Sequence, residues 1–267
     1  MKAIVIGCLF LVFLPNAIAQ SLVFGVVPQQ SASRLAQQWS PIMAHLSAVS
    51  GLEIEFQTAA DIPTFEQRLA NGEYDIAYMN PYHYTVFSRS LGYRAMAKAR
   101  DKQIKGILVT QRSNPVASIL ALNNQTLAFP SPAAFAATIL NQSDLTKAGV
   151  SFESEYVSSH DSVYLSVAKG FYPAGGGVMR TFNALPEVVK SQLTVLHTTE
   201  GFTPHAIAYH PRLSQQQVEL LAKALSELES SVQGQSLLEQ LKIKGFQSAQ
   251  DQDWDDVRQL DIRILTP

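Results

Sequence analysis

Cysteine is almost missing from this chain: one residue, Cys8, in 267. It lies within the apolar run that opens the sequence, so the rest of the chain has no thiol for a disulfide, a thiolate-held metal or a cysteine nucleophile. Charge is sparse too, with 20 Lys and Arg against 22 Asp and Glu and a formal net charge of −2. That mild acidity carries no electrostatic footprint for nucleic acid, which is excluded as a partner. After Leu14 no apolar run approaches the ~20 residues of a membrane span. Repeats of solenoid type and low-complexity segments are lacking. So are the G-x-S-x-G elbow and the H-E-x-x-H pair, and Gly175-Gly176-Gly177 is not followed by the Lys-Ser/Thr of a phosphate loop.

The N-terminus has the form of an export signal. Met1-Lys2 supplies the charged start, Ala3 to Leu14 the apolar core, and Ala17-Ile18-Ala19 a small-x-small cleavage site. Cleavage is expected after Ala19, leaving Gln20 first; an uncleaved anchor is the alternative. Loss of Lys2 moves the charge from −2 to −3. A cysteine-free exported chain fits the periplasm, and its length fits one large domain or two lobes.

The most informative stretch is Tyr74 to Tyr84, YDIAYMNPYHY. Ile76 and Tyr78 belong to a short uncharged run, as in a strand buried on both faces. Pro81 bars its continuation and suits the first position of a helix, with Asn80 as cap. Tyr78, Tyr82, His83 and Tyr84 gather at this strand end, where an open α/β sheet binds ligands. The four rings read as a ligand wall, with core packing as the competing reading for Tyr78.

The remainder follows the same grammar. Ser21–Val27 reads as a strand, and Leu35, Trp39, Ile42, Met43 and Leu46 mark one face of a helix ending at Gly51, kinked or restarted at Pro41. Strands are expected at 52–56, 93–99, 105–110, 126–129, 152–157, 194–197 and 205–209. A helix near Ala133 follows the turn Pro130-Ser131-Pro132, and another follows Ser158-Ser159-His160-Asp161. The glycine triplet reads as a flexible turn. Ser214 and Gln217 form a capping box, and Trp254 and Val257 read as anchors of the tail onto the first lobe. Alternating strands and helices imply mostly parallel sheets.

The histidines do not make a metal site: His205 and His210 are five apart, and Ser159-His160-Asp161 are sequence neighbours, unlike a catalytic triad. No metal, cofactor or catalytic residue is expected. His160 is either a hydrogen-bonding ligand contact or a simple helix-start histidine. Phe135 is either cleft-facing or core. Arg180 is a ligand clamp or a solvated helix residue, with the second favoured.

Four segments, GVVPQQSASRLAQQWSPIMAHL (25–46), YDIAYMNPYHY (74–84), FPSPAAFAATIL (129–140) and SSHDSVYLSVAKG (158–170), give a chain that resembles the periplasmic substrate-binding proteins of phosphonate, phosphite and phosphate ABC transporters. The resemblance implies an α/β type II periplasmic-binding fold, two lobes with a ligand cleft between them. Lobe 1 would comprise 20–104 and 209–267, and lobe 2 residues 105–208, with crossings near 105–112 and 198–208. It places Gln30 in the first cleft loop, Tyr78, Asn80 and Tyr82 on an aromatic wall beside His83, and His160 facing the ligand. The family's hydroxyl-rich turn is replaced by Ser131-Pro132-Ala133-Ala134-Phe135, and its acidic residue after the His160 helix by Tyr172-Pro173-Ala174-Gly175. Arg180, His160 or His205 would then have to compensate. The implied protein is a monomeric, non-enzymatic binder of a small ligand that serves an ABC permease or, alternatively, a membrane sensor kinase or cyclase.

Overall fold

The computed structural model describes residues 21–265. The expected signal segment and its cleavage site lie outside the described residues. Lobe 1 begins with β1 (Leu22–Val26), α1 (Ala32–Ser50), β2 (Ile54–Thr58), α2 (Ile62–Ala70), β3 (Ile76–Met79), α3 (Pro81–Ser90) and β4 (Arg94–Ala99). Lobe 2 contains β5 (Gly106–Gln111), β6 (Gln125–Phe129), a π-helical turn (Phe135–Leu140) running into α4 (Asn141–Lys147), β7 (Phe152–Tyr156), α5 (His160–Ala168), β8 (Ala174–Val178), α6 (Met179–Asn183), α7 (Glu187–Lys190) and β9 (Leu193–Thr198). The chain then returns to lobe 1 for β10 (Ala206–Tyr209), α8 (Gln215–Glu227), α9 (Val232–Gln240), β11 (Phe246–Ser248) and α10 (Asp255–Arg258).

The sheets are ordered β11-β4-β10-β3-β1-β2 and β7-β6-β8-β5-β9. The β1, β2 and β3 strands are parallel, as are β6, β7 and β8, while β10 and β5 run against their neighbours. Pairing of β10 with both β3 and β4 lets the returning chain complete lobe 1.

Local chemistry accounts for the elements. The apolar face of α1 buries Leu35, Trp39, Ile42, Met43 and Leu46, and Gly51 ends it at φ 70°, where a side chain would be strained. The helix runs unbroken through Pro41, which lies on its exposed side. The Ser214–Gln217 capping box starts α8, and Trp254 and Val257 are buried in the lobe 1 core.

The glycine triplet is not a flexible turn. It forms the middle of β8, a strand buried along its whole length in the centre of the lobe 2 sheet. Glycine is required there by close approach. A Cβ on Gly176 would sit 2.0 Å from the Ala137 carbonyl oxygen, and one on Gly177 would sit 2.1 Å from the Tyr164 hydroxyl. One face of this sheet packs on Val163, Tyr164 and Val167 of α5, the other on Leu122 and Leu145.

Two short segments, 100–105 and 199–205, connect the lobes. They pair at one point: the Ile104 N–H donates to the Phe202 carbonyl at 2.8 Å, and the Phe202 N–H donates back at 3.0 Å. Residues 106–111 already belong to the lobe 2 sheet, so the first crossing precedes them. Ala133 to Ala137, Leu140 and Val178 of lobe 2 share one apolar cluster with lobe 1, so the two lobes are packed together.

Candidate functional site

The strand ends of both lobes converge on the cleft. Tyr78, the penultimate residue of β3, stacks on His205 with ring centroids 4.8 Å apart and planes 15° from parallel. Trp39 of α1 also meets the Tyr78 ring, tilted, with centroids 4.6 Å apart. This aromatic contact covers apolar area while leaving the phenol at the cleft. His205 Nε2 is buried without a protein partner. Burial, and then the Arg180 charge, hold the His205 pKa well below the ordinary histidine value, so the ring is neutral.

Asn80 finishes β3 and starts α3. Its Oδ1 accepts from the His83 N–H at 2.8 Å, and its Nδ2 donates across the cleft to the Ala133 carbonyl at 3.1 Å. The next three rings do not join Tyr78 in one wall. Each helical residue turns the side-chain direction by about 100°, and these rings diverge accordingly. The Tyr82 hydroxyl accepts from the N–H groups of Ile264 and Leu265 at 2.9 and 2.8 Å. His83 is fully buried inside lobe 1, with Nε2 2.9 Å from Glu66 Oε1. The Tyr84 hydroxyl donates to Asp251 at 2.8 Å and accepts from the Ala95 N–H.

The opposing turn in lobe 2 has few hydroxyls, and what remains is arranged around backbone groups. Thr138 Oγ1 donates to the Ser131 carbonyl at 2.7 Å, whereas the Ser131 hydroxyl is buried and unpartnered. Ala134 precedes the π-helical turn without a side-chain cap. Among the described residues, the N–H groups of Phe135, Ala136 and Ala137 have no acceptor. The other end of the turn is anchored: Asn141 Nδ2 lies within 3.0–3.1 Å of the carbonyls of Ile107, Ala136 and Ala137. Of the two readings open for Phe135, the structure shows core: the ring is 1% exposed and meets Phe202 of the second crossing edge-on at 5.6 Å.

His160 opens α5, and its N–H donates to the Gln29 carbonyl of lobe 1 at 3.1 Å. Its Nδ1 lies 3.1 Å from Thr181 Oγ1, which in turn meets the Tyr164 hydroxyl at 2.8 Å. Burial first, and the Arg180 charge second, lower its pKa to about 3, so the ring is neutral and orientated by Thr181. Gln30, 2% exposed, has both amide atoms buried and unpartnered. Arg180 is not a solvated helix residue; its guanidinium reaches Gln29 Oε1 across the cleft.

A cavity of about 190 Å³ lies between these strand ends, lined by Tyr78 of lobe 1, Val178 and Arg180 of lobe 2, Lys102 and Lys105 of the first crossing and His205 at the end of the second. Sequence reasoning gave no role to the two lysines. The signal available was their position: each lies between a strand of one lobe and a strand of the other.

Two α/β lobes, two crossings and a cleft at the strand ends define a solute-binding protein of the two-lobed kind. The family model for periplasmic substrate-binding proteins of phosphonate ABC transporters matches residues 24–254, and the chain belongs to that family. It is therefore a transport solute-binding protein of the periplasm rather than a member of an enzyme family. Among solved structures it is similar to a binding-protein component of a phosphonate ABC transporter from Pseudomonas aeruginosa (TM-score 0.82, 17% identity, 90% of this chain and 85% of that one). It is similar to the same degree to PhnD1 of Prochlorococcus marinus in complex with methylphosphonate (TM-score 0.82, 17% identity, 90% and 96%). A third, XAC2383 from Xanthomonas citri bound to chloride, gives TM-score 0.68 at 17% identity over 90% and 99%.

Proposed function

We propose that this protein binds a small phosphonate, or a related phosphorus oxyanion, between its lobes and hands it as a monomer to the permease of an ABC importer in the inner membrane. The observation that carries the reading is the set of buried, unpartnered polar atoms at the lobe interface: Ser131 Oγ, both amide atoms of Gln30 and His205 Nε2. Buried polar atoms without partners are rare in folded proteins, and the donors among these, the Ser131 hydroxyl, Gln30 Nε2 and an Nε2–H of neutral His205, suit the oxygens of a tetrahedral anion. The open N–H groups of 135–137 add donors without charge. In this reading Tyr78 and His205 form the wall, Gln30, Ser131 and the Ala134–Phe135 turn hold oxygens, and His160 offers its free Nε2. Asn80 acts through the Ala133 carbonyl as a latch, and Tyr82, His83 and Phe135 support the site from inside. Export with cleavage after Ala19 belongs to the same reading.

The test is thermal denaturation of residues 20–267 with methylphosphonate, phosphite, phosphate and sulfate. A bound ligand at 100 times its Kd adds about 2.7 kcal/mol of stability. A shift with a phosphorus oxyanion that is lost in Ser131→Ala and Gln30→Ala supports the reading. The absence of any shift with all of these anions overturns it.

A further inference from the structure

Resting on the phosphonate reading, we propose that the ligand carries a second anionic group, a carboxylate or another phosphoryl, received by Lys102, Lys105 and Arg180 at the hinge end of the cleft. All three cations line the same cavity, and its lining contains no aspartate or glutamate. Arg34, Arg68, Lys98, Arg100, Arg212, Arg258 and Arg263 each meet a carboxylate. Among the described residues, Lys102, Lys105 and Arg180 form no such ion pair, and the partners of Arg180 and Lys102 are neutral, Gln29 Oε1 and the Lys242 carbonyl. The chain as a whole is net negative. What sets these three apart is that they line one small cavity whose lining holds no carboxylate.

The like charges also feel one another. Burial first, and the Arg180 charge second, lower the Lys102 pKa, and the second of these reports that the two cations lie close together. An anion placed among them relieves that repulsion and makes charge-assisted hydrogen bonds in a partly desolvated setting. The same cavity is lined by Tyr78 and by neutral His205, whose unpartnered Nε2 is one of the proposed oxyanion donors.

Position gives the second group a mechanical role. Lys102 and Lys105 belong to the first crossing, and the Lys105 side chain covers Gly201 of the second, where a Cβ would lie 2.9 Å from Lys105 Cε. Arg180 comes from lobe 2. An anion touching all three ties the first crossing to lobe 2 and favours the closed arrangement. A cavity of about 190 Å³ admits a short two-headed anion. A phosphonate bearing an ammonium at its far end would instead place a fourth positive charge among three.

The experiment is calorimetric titration of residues 20–267 with phosphonoacetate, methylphosphonate and 2-aminoethylphosphonate, at low and high salt. Phosphonoacetate is expected to bind about tenfold tighter than methylphosphonate or better, and 2-aminoethylphosphonate about tenfold weaker. The advantage of phosphonoacetate should shrink with salt. Lys102→Gln and Lys105→Gln should each lower phosphonoacetate affinity while leaving methylphosphonate within about twofold, with unchanged melting temperatures for the free proteins. Equal affinity for methylphosphonate and phosphonoacetate, or variants that weaken both alike, overturns the second-anion proposal and leaves the phosphonate reading standing. Failure of all three compounds to bind, together with phosphite and phosphate, overturns both.

Discussion

The two lobes face each other through strand ends of similar plan that are completed in opposite ways. In lobe 1, β3 ends in Asn80, whose side chain satisfies the first turn of α3, and large rings fill the space behind it. In lobe 2, β6 ends in Pro130-Ser131-Pro132, the following helical turn has no side-chain cap, and its support is a strand of glycines. A capped turn has spent its donors on its own chain. An uncapped one keeps them for something else. Lobe 1 thus contributes a rigid surface, and lobe 2 contributes backbone donors held in place from behind by Asn141 and β8.

Breaking the support of lobe 2 should have the largest effect. Gly176→Val drives a branched side chain into the Ala137 carbonyl and the Phe129 ring, where even a Cβ would lie 2.0 and 2.7 Å away. Neither can yield cheaply, so a loss of about 3 kcal/mol or more is expected in urea unfolding. Asn141→Ala comes next. It removes the donor shared by three buried carbonyls, and about 2–3 kcal/mol should go with it. The corresponding change in lobe 1, Asn80→Ala, removes a cap worth about 1 kcal/mol and the donor to one buried carbonyl, that of Ala133, so a loss below that of Asn141→Ala is expected. Equal losses for these two asparagine variants would remove the distinction drawn between the turns.

The smallest effect at neutral pH concerns His160, which becomes visible only on acidification. Unfolded, its ring takes a proton near pH 6.5; folded, it does so only near about pH 3. Between these values the unfolded state binds more protons, so stability falls as pH drops through that window, by about 2 kcal/mol at pH 5 from this one residue. Unfolding at pH 7 and pH 5 should therefore show a smaller loss for His160→Gln than for the wild type. Equal losses would mean that the ring is not held neutral by the closed lobes.

Much of this architecture was legible because local chemistry determined it. Pro81 with Asn80, Gly51, the Ser214–Gln217 box and the apolar face of α1 each act within a few residues of themselves. The site was harder. Tyr82, His83 and Tyr84 share the sequence neighbourhood of Tyr78, but helical rotation sends each to a different partner, including Asp251 and Ile264 far along the chain. The glycine triplet misled for the same reason. Nothing within 175–177 distinguishes a loose turn from a tightly packed strand; the difference lies in Val163, Tyr164 and Ala137, which approach it from elsewhere. Arg180 follows that strand in a five-residue helix too short to display a face, so its place at the cleft comes only from the meeting of the lobes.

The closing contacts have a consequence for how such a protein diversifies. At two of them the accepting group is a main-chain carbonyl, that of Gln29 for the His160 N–H and that of Ala133 for Asn80. A peptide oxygen is the same whichever side chain its residue carries. Gln29 and Ala133 can therefore drift in identity without losing these acceptors, and the residues that choose the cargo can be rewritten while the clasp stays intact.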